Sequence, residues 1–359
     1  MKRRLRSLLL RILVGIGVLD AWRNARRNDV VILMLHGTAD PDCPSSWVPL
    51  RSQHAPEDID WALRVLSRHY RFVSLDDAVE MLTGRRSSVD HTLVLTFDDG
   101  YRNNIVDALP VLKKHGAPMS VFLTVSHIDN RAPMWFDRLD YALQAVPADG
   151  WEARIGQVSV TISAKNRAEL TEAYALLRNR AKKECRDERE FVDGIAKLCE
   201  RLERVGGRTL SDTFEGDPWS QILTWEEVEA ASRDGVIFGS HGRDHFRLGL
   251  LPGEEAWEQL KTSRDEIVKR LGACRFLAYP DGSYTQEIMK LGMECGYEAA
   301  VTTEEGRNKL GCDPMSLKRI TFPSIRDETE LLCRVSGFSD SASLRRIKSF
   351  FSGMKESAR

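Results

Sequence analysis

The segment Thr92-Leu93-Val94-Leu95-Thr96-Phe97-Asp98-Asp99-Gly100-Tyr101 sets the pattern for the chain. A short apolar and β-branched run ends abruptly in two acids and a glycine, which is a strand followed by a turn. The same unit recurs outward in both directions. Further strands are expected at Val30–Leu35, Phe72–Leu75, Ser120–Leu123, Val236–Gly239, Phe276–Tyr279, Ala299–Thr302 and Ile320–Phe322, beside Leu93–Phe97. Longer helical patterns separate them, at Pro56–His69, Leu75–Thr83, Asn104–His115, Trp225–Asp234, Pro252–Leu271 and Thr285–Cys295. Strand and helix in alternation give a parallel α/β architecture, and seven or eight such strands point to a (β/α)7-8 barrel. The competing arrangement is a doubly wound open sheet, but no GxGxxG follows any strand.

Composition sets the outer limits. The chain has 359 residues with Lys+Arg 52 against Asp+Glu 53, a net charge of −1, and 42% hydrophobic residues. These proportions exclude disorder, collagen and a multi-span membrane protein. A balance so near zero gives no support for nucleic acid as a partner. The seven cysteines (Cys43, Cys185, Cys199, Cys274, Cys295, Cys312 and Cys333) are scattered and never form CxxC. That layout suits reduced thiols on the cytoplasmic side better than a disulfide framework or a structural zinc site.

The N-terminal segment, residues 1–29, is basic and apolar. Lys2, Arg3, Arg4 and Arg6 precede an apolar run, Leu8 to Leu19, which carries Arg11 and is followed by Arg23, Arg26 and Arg27. The run is too short to span a bilayer. As one helix it would place Leu9, Ile12, Leu13, Ile16 and Leu19 on a shared face. Three readings follow: a membrane-surface contact through residues 1–27, a helix packed on the protein's own core, or an export signal or anchor lacking a recognisable cleavage site. The first fits a cytoplasmic protein held at the inner membrane. No feature sets the oligomeric state.

The alternation of strand and helix lapses over about residues 135–222. There an apolar helix start is followed by one alternating strand (Val158, Val160, Ile162) and by charged helical sequence, so the stretch is expected to be a helical insertion rather than a loop. Its charge runs, such as Arg178–Glu190, read as solvated helix faces. Residues 324–359 read as a helix and a basic tail containing Arg345, Arg346 and Lys348.

Two clusters carry chemistry, and both follow a strand, where α/β barrels place catalytic groups. Asp98 and Asp99 are adjacent carboxylates that raise each other's pKa unless a cation lies between them. An ordinary Asp-Asp-Gly turn is the alternative for that pair taken alone. Gly239-Ser240-His241-Gly242-Arg243-Asp244-His245 places two histidines at i and i+4, which on a helical turn would face one ion. Two histidines and one carboxylate form the open ligand set of a catalytic divalent metal.

In order and separation, TFDDGYRNN, GSHGRDH and FLAYPDGSY resemble the motifs of the polysaccharide deacetylases, the NodB-homology family or carbohydrate esterase family four. VILMLHG, LTWEEVEAASRDGVIFGSH, GYEAAVTTEEGRN and LKRITF strengthen the likeness, which covers about residues 30–130 and 222–323 and favours the branch whose third motif reads FAYPxG. The resemblance implies a distorted (β/α)7-8 barrel of the polysaccharide deacetylase type with a helical insertion, the catalytic domain spanning 30–323.

The resemblance also assigns roles. Asp99, His241 and His245 become ligands of one divalent ion, zinc first, with iron, cobalt or nickel also accommodated. Asp98 becomes the general base toward a metal-activated water, and the backbone N–H of Asp281 the oxyanion donor. Tyr279, Pro280, Gly282 and Tyr284 become substrate-binding residues, with barrel packing the alternative for either tyrosine. Leu317–Phe322 lacks the late histidine that serves many relatives as the acid, which leaves His36. Ala278 stands where other branches carry an arginine that orients the base, a role that Arg319 could take.

The function implied is metal-dependent removal of N-acetyl groups from N-acetylhexosamine units of a polysaccharide, oligosaccharide or lipid-linked glycan. Sugar O-deacetylation or deformylation at the same site is one alternative. A catalytically silent carbohydrate-binding barrel is another.

Overall fold

Among the described residues ten strands order the chain: β1 (Val31–Leu35), β2 (Arg71–Phe72), β3 (Thr92–Phe97), β4 (Met119–Leu123), β5 (Trp151–Ile155), β6 (Val158–Ile162), β7 (Ile237–Ser240), β8 (Phe276–Ala278), β9 (Ala299–Glu305) and β10 (Leu317–Thr321). They come from a computed structural model that describes residues 10–51, 53–146, 150–164 and 166–338. Seven strands close a parallel barrel in the order β1-β3-β4-β7-β8-β9-β10, and β10 returns to β1. β2 lies beside the start of β3, outside the ring. The expected α/β barrel is thus the observed fold.

The two-residue period of a strand divides the apolar residues between two faces. Val31, Leu33, Leu35, Leu93, Leu95, Phe97, Val121 and Leu123 pack outward with the helices. Ile32, Val94, Phe122, Phe276, Ala278 and Val301 form a separate cluster in the opposite phase, which fills the lumen. The helix Leu75–Leu82 joins that lumen cluster through Leu75, Ala78, Val79 and Leu82, opposite the strand ends that carry the motifs. The same period carries Val94, Thr96 and Asp98 on the inward face, so β3 delivers its first acid into the barrel mouth.

Three departures from expectation have a local cause. β10 spans Leu317–Thr321, not Ile320–Phe322, because Lys318 and Arg319 interrupt its apolar signal although Arg319 is 1% exposed. β2 stops at Phe72, since the Ser74 side chain accepts the Asp77 N–H and starts the next helix at Leu75. The Asn104–His115 stretch divides into a π-helical turn, Asn104–Ala108, and an α-helix, Leu109–Lys114. Pro110 lacks the N–H that a continuous helix needs there.

The insertion contains helices Trp135–Ala145, Arg167–Glu184 and Glu188–Gly206 and the antiparallel hairpin β5–β6, of which only β6 was expected. It has its own core, including Leu139, Ile155, Val160, Tyr174, Phe191 and Leu198.

The single N-terminal apolar face is not formed. Gly17, at φ 77, breaks the segment into two helical pieces, so Leu10 and Leu19 are buried whereas Ile12 and Ile16 are 52% and 69% exposed. Arg11 pairs with Asp327 at 2.8 Å, and the Trp22 indole N–H donates to the Ser336 carbonyl at 3.1 Å, which hold residues 10–24 to the helix Glu328–Val335 and its C-terminal end. Residues 1–9, including Leu8, Leu9 and the basic cluster Lys2–Arg6, lie outside the described residues, as do Arg345, Arg346 and Lys348. Among the described residues no helix is long and apolar enough to cross a membrane. All seven cysteines are free.

Candidate metal centre and its cavity

Asp99 follows β3 with φ at 74°. This left-handed backbone is costly for a residue with a side chain, though aspartate tolerates it better than most. It turns Asp99 out of the strand's alternation and beside Asp98 at the barrel mouth. His241 and His245 arrive from the end of β7, and the ligand atoms of Asp99, His241 and His245 all lie within 4.8 Å of one another. Asp99 Oδ1 stands 3.6 Å from His241 Nε2 and 3.5 Å from His245 Nε2.

Those separations are long for hydrogen bonds and suit a shared ion, since donors about 2.1 Å from one tetrahedral centre lie roughly 3.4 Å apart. Asp99 Oδ2 is buried without a hydrogen-bond partner, which adds to the fit. The His241 Nδ1–H donates to the Ala278 carbonyl at 2.8 Å, so Nε2 presents its lone pair toward Asp99. Burial drives the pKa of both histidines down, that of His245 far down with a further push from His241, and so favours the neutral, ligating form. Burial and then the charge of Asp98 push the Asp99 carboxyl well up, a cost that a bound cation removes.

The i, i+4 spacing works by a different route from the one expected. Residues 241–247 are not helical, and His245 itself sits at φ 59. A left-handed kink, not a helical turn, brings the second imidazole back to the first, with ring centroids 4.9 Å apart. Of the five non-glycine residues with positive φ among the described residues, Asp99, His245 and Asp281 all belong to this site. Such conformations cost of order 1–3 kcal/mol each and persist where the surrounding structure enforces them.

Asp98 and Arg319 face each other inside the barrel. The guanidinium donates from Nη1 to Oδ1 and from Nη2 to Oδ2, both at 2.7 Å, while its Nε donates to the Thr302 carbonyl at 2.8 Å. Burial alone would raise the Asp98 pKa, but the Arg319 charge, then His241, outweigh it and hold the carboxyl below its usual range. His36, at the end of β1, lines the same cavity. Burial lowers its pKa to about 4, so its imidazole is neutral at pH 7.

The family model for polysaccharide deacetylases matches residues 85–300. The chain belongs to the polysaccharide deacetylase family. The matched stretch contains Asp98, Asp99, both histidines and Asp281, and leaves His36 and Arg319 outside it. YxkH of Bacillus subtilis (strain 168) is 22% identical over 240 residues, which are 66% of this chain and 53% of that protein. The chain thus spans about half the length of the curated relative it matches. The Streptococcus pyogenes deacetylase PplD, solved in complex with acetate, superposes with TM-score 0.55 at 17% identity, over 86% of this chain and 98% of that one. IcaB from Ammonifex degensii gives 0.53 at 16%, over 88% and 98%. These two likenesses concern the fold.

In this member of the polysaccharide deacetylase family the third motif divides between rim and core. Asp281 lines the cavity, with φ at 53° and its carboxylate paired to Lys182 of the insertion. Gly282 is at φ 66, and a Cβ there would lie 2.0 Å from Thr303 Oγ1, so this glycine permits a contact at the cavity wall. Pro280 is buried. Tyr279 is 0% exposed, donates its hydroxyl to the Met315 carbonyl at 3.0 Å and stacks on Tyr284 at 4.9 Å. Tyr284 donates to Glu304 at 2.6 Å. Neither tyrosine lines the cavity, because packing and these bonds occupy both.

The cavity, about 280 Å³, has walls that the sequence did not reveal: Arg51, His54, Phe136, Arg178, Lys182 and Thr303 join His36, Gly37 and the motif residues. Arg51 donates from Nε to Asp137 Oδ1 at 2.9 Å and from Nη2 to the Tyr101 hydroxyl at 2.5 Å. Tyr101 in turn donates to Asp137 Oδ2 at 2.5 Å. The adjacency of Tyr101 to the Asp-Asp-Gly turn was the available signal for this network. Arg51, Asp137 and the insertion come from segments with no local motif.

Proposed function

We propose that this protein is a metal-dependent hydrolase that removes N-acetyl groups from N-acetylhexosamine units of a polysaccharide, oligosaccharide or lipid-linked glycan, with zinc the preferred ion and iron, cobalt or nickel accommodated. One observation carries the reading: Asp99, His241 and His245 converge beside a second carboxylate, Asp98, that a buried arginine holds in a fixed orientation. A divalent ion held by those three ligands would acidify a water to a pKa of about 7 and polarise the acyl carbonyl.

The chain's own residues do the rest. Arg319 fixes both carboxylate oxygens of Asp98, and each oxygen retains a second acceptor site for the proton of the attacking water. The amine must leave protonated. His36 is neutral at rest, so it donates only after it has itself received a proton, and Asp98 in the same cavity is the source. Asp281, at the rim, supplies the proposed backbone N–H for the developing oxyanion.

Acetate release from N-acetylglucosamine oligomers tests the assignment. Wild type should release acetate, chelation should stop it, zinc should restore it, and Asp98→Asn should lower the rate by about 10²–10⁴. Acetate from no N-acetylated sugar, or full activity in Asp98→Asn, would sink it.

A further inference from the structure

The cavity lies between the barrel mouth and the inserted helix Arg167–Glu184, which projects Arg178 and Lys182 into it. One turn apart on the same helix, both side chains reach the same space. The insertion therefore forms one wall of the reaction cavity.

The charges in that space pair off, with one left over. Asp98 has Arg319, Asp137 has Arg51, Asp281 has Lys182, and Asp99 faces the two ligand histidines. Arg178 has no carboxylate within ion-pair distance among the described residues, although its charge reaches Asp281. Its Nη1 donates to the Tyr174 hydroxyl at 3.3 Å, its guanidinium stands 5.4 Å from that ring, and its Nε is buried with no hydrogen-bond partner. The half-buried guanidinium therefore stands at the cavity wall without an ion-pair partner, and its planar fork matches the two oxygens of a carboxylate or phosphate.

We propose that Arg178 is a specificity residue of this active site that receives an anionic substituent, phosphate or carboxylate, carried by the N-acylated sugar. Lys182 remains with Asp281 and holds the inserted helix to the barrel rim. The inference rests on the deacetylase reading and narrows its substrate class to acidic glycans or sugar phosphates. A neutral sugar would leave the Arg178 charge without a counterion.

Matched pairs test it. Calorimetry on the metal-free protein would compare N-acetylglucosamine 1-phosphate with methyl N-acetylglucosaminide, and a hyaluronan tetrasaccharide with chitotetraose. Acetate release by the zinc-loaded enzyme would be measured on the same four compounds. The expected result is at least tenfold tighter binding of the anionic member of one pair, the pair identifying phosphate or carboxylate. KM should carry the preference. Arg178→Ala should abolish it and Arg178→Lys restore part of it, with circular dichroism confirming the fold of each. Equal affinities within both pairs, no binding of any compound, or a preference that survives in folded Arg178→Ala would overturn the proposal. An anion preference without acetate release would strike the proposed reaction alone, whereas acetate released equally from charged and neutral sugars would strike this inference alone.

Discussion

Arg319 is a charged side chain inside a barrel, and each of its three nitrogens donates, to Asp98, Thr96 or the Thr302 carbonyl. Lysine carries the same charge without the fork, so Arg319→Lys should leave Asp98 misoriented and lower acetate turnover at least tenfold. Its zinc stoichiometry should be unchanged, because the three ligands are untouched; unchanged turnover would remove Arg319 from the machinery. Arg319→Leu should cost about 3–5 kcal/mol of stability by stranding a buried carboxylate, measurable by denaturant unfolding. At this scale Asp98, Asp99, His241 and His245 were legible because motif spacing reports which groups can meet. The left-handed backbones at Asp99 and His245 were not, since φ depends on how the loop is held from outside. Tyr279 and Tyr284 were ambiguous for a related reason: an aromatic next to a motif serves core and cavity equally well until its hydroxyl partner is known.

Among the elements, the turn after β8 and the helix Trp135–Ala145 make separate predictions. Gly282→Ala combines a positive φ with a contact to Thr303 that a methyl group cannot share, so it should destabilise the fold by about 1–3 kcal/mol and lower the melting temperature. A melting temperature equal to wild type would show that the turn relaxes freely. Asp140, on that helix, is 0% exposed and accepts the Leu50 N–H at 2.8 Å and the Gln144 amide at 2.7 Å. Burial raises its pKa to about 7. A folded-state pKa above the unfolded value stabilises the protein below pH ~4, and this is lost as pH rises through 7, a swing of order 4 kcal/mol. The melting temperature of Asp140→Asn minus that of wild type should therefore fall between pH 7.5 and pH 4.5. A constant difference would contradict a protonated, buried Asp140. Element order was legible because strand and helix periods differ, and β10 was misplaced where Arg319 interrupted the apolar pattern.

At the scale of the whole molecule, one chain segment builds the chemistry and another encloses it. The barrel brings Asp98, Asp99, His241, His245 and Arg319 together from strands far apart in sequence, and its closure was foreseeable from seven or eight recurring strands. The part played by the insertion was not foreseeable. Arg178 and Lys182 read as members of a solvated charge run, because sequence reports helix polarity but not what docks against each face. The three-ligand centre ties β3 to β7, so an ion bound there should stabilise the entire fold, by about 2.7 kcal/mol at a concentration 100 times its Kd. The most direct measurement is a zinc titration of the chelated protein, followed by melting temperature and by bound metal per chain, in wild type and His245→Ala. The account predicts one tightly held zinc per wild-type chain, a rising melting temperature on loading, and loss of both in the variant. No zinc retained at micromolar concentration by wild type, or equal retention by His245→Ala, would contradict it.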